Sequence, residues 1–142
     1  MAKQPLSSGR RLAETRTAKV VFIKSDLTFS FKYFQDQDGV GQSLKTWLET
    51  EVLLVQGLVN KLVYLSDNTL TASQQNKILT LYRQFPARNQ TDFTCLAGFE
   101  NENWGTIRKL NGQKGRAAGF LRDNVFYVVF LDKDHRFWKS SK

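Results

Sequence analysis

Arg108, Lys109, Lys114, Arg116, Arg122, His135, Arg136 and Lys139 crowd the last third of the chain, interleaved with Trp104, Tyr127, Phe137 and Trp138. Guanidinium and ammonium groups pair with phosphate, and aromatic rings stack on bases splayed from a single strand. Cleavage of RNA without a metal needs no protein nucleophile, because the ribose 2′-hydroxyl attacks the neighbouring phosphorus. The protein then supplies a proton acceptor or donor and cations that hold the developing negative charge. His135 is the only histidine in the chain and fits the first role. Arg116 and Arg136 fit the second, and Trp138 offers a stacking surface.

Other chemistries meet obstacles. The chain has no phosphate-binding P-loop, no dinucleotide fingerprint and no GxSxG elbow. Gly112, Gly115 and Gly119 lie among strand-like runs, outside the strand–turn–helix setting that such motifs require. Asp36 and Asp38 resemble the start of a calcium loop, yet the spacing that follows supplies no closing glutamate. "DKDH" (132–135) sets two carboxylates beside an imidazole, as in two-metal nucleases, but aspartates at this spacing more often belong to a β-turn. A Cys95–His135 dyad lacks a third, orienting group, and a cysteine beside Leu96 and Ala97 reads as a small buried hydrophobe. With one cysteine there is no intrachain disulfide, and with one histidine a Cys/His zinc site is short of ligands. No metal and no cofactor is expected.

The 142 residues suit one domain with one core. The net charge of +8 is unevenly spread: residues 1–24 carry +5, residues 25–103 carry −3, and residues 104–142 carry +6. Such an asymmetry attracts phosphate-bearing partners and makes binding salt-sensitive. The N-terminus has no apolar signal core, and no run approaches the ~20 apolar residues of a membrane span. A cytoplasmic protein without a membrane association is the expectation.

Several elements would position the basic set. Residues 1–16 read as a flexible basic arm, and residues 17–142 as a single α+β domain. "AKVVFIK" and "LTFSFKYF", joined at Ser25-Asp26, predict a hairpin. Ser43 caps a predicted helix to about Leu65, with Leu44, Leu48, Val52, Val55, Val59 and Leu62 as its buried stripe. Thr71 and Gln74 have the spacing of a capping box for a second helix. Ile78, Leu79, Tyr82 and Phe85 form its buried side, and Pro86 stops it. Residues 87–103 read as loop. Four strand-like runs follow, separated by turns at Asn111-Gly112, Asp123-Asn124 and Lys133-Asp134. The third, Val125–Leu131, lacks polar alternation, as in a strand covered on both faces. The plan is an antiparallel sheet with two main helices packed on one side.

From Leu110 onward the arrangement resembles the RelE/ParE toxin superfamily of bacterial toxin–antitoxin modules. Leu110-Asn111-Gly112 matches the family's Leu-x-Gly, Arg116 and Arg122 fall on the basic strand that follows, and "VFYVVFLD" matches the central aromatic strand. Trp138 stands where a tyrosine is more usual. The resemblance spans roughly residues 42–142 and implies a RelE-like fold and cleavage of RNA, alone or on the ribosome. By position it implies catalytic roles for Arg116, His135, Arg136 and Lys139. Arg108, Lys109, Lys114, Arg122 and Trp138 would then bind the nucleic acid, and an acidic antitoxin would cover the cationic face. Two other readings stay open: a non-catalytic nucleic-acid-binding module, and a protein whose sheet docks another protein.

Overall fold

The computed structural model describes residues 26–139. The basic arm and the first half of the expected hairpin lie outside them. Eight elements follow in chain order: β1 (Thr28–Ser30), α1 (Leu44–Thr50), α2 (Val52–Ser66), α3 (Leu70–Gln75), β2 (Leu79–Leu81), β3 (Asn103–Ile107), β4 (Arg116–Arg122) and β5 (Val125–Asp132). The strands form one sheet in the order β1-β5-β4-β3-β2. The chain is therefore a single α+β domain, as the patterning predicts, but its sheet is mixed. β1 runs parallel to β5, Thr28 facing Val125 and Ser30 facing Tyr127. The other three pairings are antiparallel.

Turn chemistry places the β-meander well. Asp123, with φ at 58°, turns β4 into β5, and the Asn124 side chain donates to the Asp26 carbonyl at 2.7 Å. Asn111 pairs with Lys114 across the next turn, with Gly112 in the left-handed region that glycine adopts without strain. A bulge between Ala118 and Gly119 adds one residue to β5. It sends Val128 to one core while Val129 and Phe130 both join the other.

The helices depart from the expected plan. Instead of one helix from Ser43 to Leu65 there are two, because Glu51 leaves the helical region at φ −136° and ψ 48°. Ser43 does cap α1, accepting from the Thr46 amide at 3.1 Å. The buried side is Trp47, Leu54, Leu58 and Leu65, with Val55 and Leu62 of the expected stripe packed against the same core, while Leu44, Leu48, Val52 and Val59 face outward. Both sets recur at helical spacing, so periodicity by itself does not choose between them. α3 starts from Thr69, whose hydroxyl accepts from the Ala72 amide, and not from Thr71. It ends at Asn76 because Lys77 takes φ 59°. Leu79–Leu81 then pairs with β3 as a strand, Leu79 entering the core. The final segment "HRFWKS" forms no strand over its described residues.

The sheet separates two cores. On one face α1 and α2 pack Trp47, Leu54, Leu58 and Leu65 against Ile107, Ala117, Leu121 and Phe126. On the other, Trp104, Ala118, Phe120, Val129 and Phe130 meet Phe85, Phe93, Phe99 and Phe137, all from segments outside helices and strands. Arg108, Arg116 and His135 meet beside this second face.

Candidate nucleic-acid interface

The site is assembled from three strand ends and one turn. Beyond β3 the Arg108 amide donates to the Ile78 carbonyl at 2.8 Å, which holds the strand end beside β2. Residues 109–115 then return the chain to β4 under α2. Gly57 makes this possible: a Cβ there would collide with the Leu110 carbonyl oxygen. The helix-side core thus sets the position of the turn, and the turn sets Arg108 and Arg116. Ala117 points into the helix-side core and Ala118 into the aromatic one. Arg116, two residues before Ala118 along the strand, takes the aromatic side.

β5 ends directly across from Arg116, in register with Asp132. Asp132 is fully buried, and its carboxylate accepts from the amides of Arg136 at 2.9 and 3.0 Å and of Phe137 at 2.9 Å. Burial pushes this carboxyl up from its ordinary range, while the amides of Arg136 and Phe137, His135 and Arg116 oppose the rise. The carboxylate therefore builds the turn over 132–137, as the "DKDH" spacing suggested. Among the described residues no three His, Cys, Asp or Glu side chains stand close enough to hold a metal ion. The turn carries His135 at φ 60°, a left-handed conformation that is uncommon for a non-glycine residue. Phe137 is drawn fully into the aromatic core, and Trp138 emerges beside Tyr82.

These pieces line a solvent-open cavity of about 260 Å³, formed by Tyr82, Arg108, Arg116, the exposed His135 and Trp138. Tyr82 and Trp138 lie face to face, centroids 4.0 Å apart and planes 2° from parallel. The Tyr82 hydroxyl lies 3.3 Å from that of Thr106. Arg116 is 9% exposed, and its Nη1 is fully buried without a hydrogen-bond partner. Its Nη2 lies 3.4 Å from His135 Nδ1. A guanidinium only donates, so in this contact Nδ1 accepts and the neutral ring carries its proton on Nε2. Burial and then Arg116 lower the His135 pKa, which favours the neutral ring. Burial, then Arg108, lower that of Arg116, which nevertheless stays charged.

The structure thus brings Arg108, Arg116, His135 and Trp138 together and leaves other basic residues apart. Arg136 and Lys139 both bind Asp92, at 2.8 and 2.7 Å, and neither lines the cavity. Two ion pairs on one carboxylate tie the chain end to the 87–103 loop, helped by Lys139 N–H donating to the Gln90 carbonyl. Arg122, at the far end of β4, is bound to Glu102 at 2.6 Å. Lys109 and Lys114 sit in the turn between β3 and β4, outside the cavity. Cys95 lines a different cavity from His135, and burial pushes its thiol up to about 11, so no Cys–His dyad forms.

Sequence reasoning missed Tyr82, which it assigned to a helix, and Asp92, in a stretch it read as loop. The alternation of Leu79 and Leu81 with Thr80 and Tyr82 is the strand signal that would have found the first. No local signal marks Asp92, whose partners lie 44 and 47 residues away. No family model, curated protein or solved structure matches the chain.

Proposed function

We propose that this protein acts on RNA by metal-independent cleavage, with the Arg108–Arg116–His135 cavity as its centre. One observation carries the reading: a buried guanidinium with an unsatisfied donor stands against the sole histidine at the mouth of a cationic cavity. A buried donor without a partner costs about 1–3 kcal/mol, and an incoming phosphate oxygen would satisfy it.

In this reading Arg116 and Arg108 hold the phosphate, and a base splayed from the strand extends the Tyr82–Trp138 stack. The 2′-oxygen bonds to phosphorus as its proton passes to His135. The P–O5′ bond then breaks, the departing oxygen takes a proton from the imidazolium or water, and a cyclic phosphate remains. Arg136 and Lys139, engaged by Asp92, anchor the turn that carries His135. The likeness to the RelE/ParE toxins, a cytoplasmic setting, a ribosome-bound substrate and an acidic antitoxin over the cationic rim belong to the same reading. Among the described residues no helix is long and apolar enough to cross a membrane.

The test is incubation of the purified protein with RNA in EDTA, with and without ribosomes. Cyclic-phosphate ends are expected, and His135→Ala should lower the rate by about 100-fold or more. Absence of cleavage in both arms would overturn the enzymatic reading. A second reading, RNA binding without turnover, is favoured by the same Arg116–His135 contact, because it occupies the nitrogen that would accept a proton. It predicts affinity that falls steeply with salt and no cyclic ends.

A further inference from the structure

We infer that the Arg116–His135 contact is a phosphate-operated release: a phosphate seated in the cavity takes the Arg116 guanidinium and frees His135 Nδ1 to accept a proton. The inference rests on the phosphate-binding part of the preceding reading and deepens it. Arg116 has two donor nitrogens at issue. Nη1 is buried and unpartnered, and Nη2 is spent on the imidazole at 3.4 Å, long for a charged donor. A phosphate offers two oxygens in the geometry a guanidinium fork prefers, so it outcompetes a single imidazole nitrogen and satisfies the orphan donor as well. Arg108 lines the same cavity and adds a second cation to the anion's side of the balance.

The exchange alters His135 in two ways. Losing the donated hydrogen bond leaves Nδ1 unoccupied, and an anion in place of a bare guanidinium favours the imidazolium. The charged and titratable groups that face the ring are Arg116, Arg108 and the buried Asp132; Tyr82 lines the cavity beside them. Two of the four are cations that a phosphate neutralises, while Asp132 remains held by the Arg136 and Phe137 amides. The free protein therefore keeps its only histidine a poor base. Phosphate in the cavity makes it a competent one, so proton abstraction awaits a seated substrate.

Because the chain holds a single histidine, its ¹⁵N resonances report this site alone. Inorganic phosphate is titrated into the full-length protein, with sodium chloride at matched ionic strength as control. At a pH where the ring is neutral, the Nδ1 resonance should move downfield as its hydrogen bond is lost. The His135 pKa should rise by about one unit, and chloride should do neither. Arg116→Lys keeps the charge but not the fork, and should abolish both responses. If Arg116 and Trp138 resonances shift with phosphate while Nδ1 does not, the release is wrong and the phosphate site stands. If phosphate moves no resonance of the cavity, the release and the phosphate site both fall. The wild-type titration decides the matter even where the lysine variant folds poorly.

Discussion

On one side of the sheet, two helices lay Trp47, Leu54, Leu58 and Leu65 against the strands at regular spacing; on the other, irregular chain covers the sheet with rings. Helical cover brings a side chain inward every three or four residues, so leucines, with the one indole of Trp47, suffice for the helices' share of the layer. Loop cover brings one inward far less often, and each must reach further. Phe85, Phe93, Phe99 and Phe137 do this around Trp104 and Phe120, in edge-on and tilted pairs between 4.7 and 6.3 Å. Irregular chain also brings unpaired backbone amides, which Asp132 satisfies from within the sheet. The consequence is functional: the regular face is closed, and the irregular one leaves polar groups half-covered at its rim. The buried Arg116 guanidinium and its contact with the solvent-exposed His135 ring lie on the second.

Four substitutions would break or sharpen this contrast, in descending order of effect. Trp104 is fully buried between Phe85, Phe120, Phe130 and Phe137, and its indole donates to the Phe99 carbonyl at 2.7 Å. Trp104→Ala should cost about 3–5 kcal/mol in denaturant unfolding. A loss below 1 kcal/mol would show that the loops do not depend on the rings. Gly57→Ala tests the coupling between the faces. Its methyl must push α2 from the Leu110 carbonyl, at about 1–3 kcal/mol by thermal unfolding. It should also weaken RNA binding, because the Arg108–Arg116 turn moves; unchanged affinity would separate the site from the helix-side core. Val59→Lys and Val63→Lys lie on the outer side of α2, 53% and 59% exposed. Each should change stability by less than about 0.5 kcal/mol. A larger loss would place that side against something in the folded chain.

Much of the framework was legible because its signals are local. The turn pairs Asn111-Gly112 and Asp123-Asn124, the Ser43 cap and the uninterrupted Val125–Leu131 run each act within a few residues, and the structure contains all of them. The helix face was only partly legible: of the expected stripe, Val55 and Leu62 pack against the core and the other four do not. Leu44, Leu48, Val52 and Val59 make as good a stripe as Trp47, Leu54, Leu58 and Leu65, and only the sheet's position selects the second. The Leu79–Leu81 strand was hidden behind a helical spacing that Ile78, Leu79, Tyr82 and Phe85 also satisfy.

For the site, the residue types spoke before the fold did: an excess of cations, aromatic rings and a lone histidine in the last third motivate the proposal of a phosphate-bearing partner. Which cations act together was a tertiary decision. Arg136 and Arg116 are equivalent in a composition, yet one is bound to Asp92 and the other is buried with a donor unmet. The reason is range. Turn and cap preferences are settled between neighbours along the chain, whereas charge neutralisation depends on which acid arrives through space, here from 44 residues away.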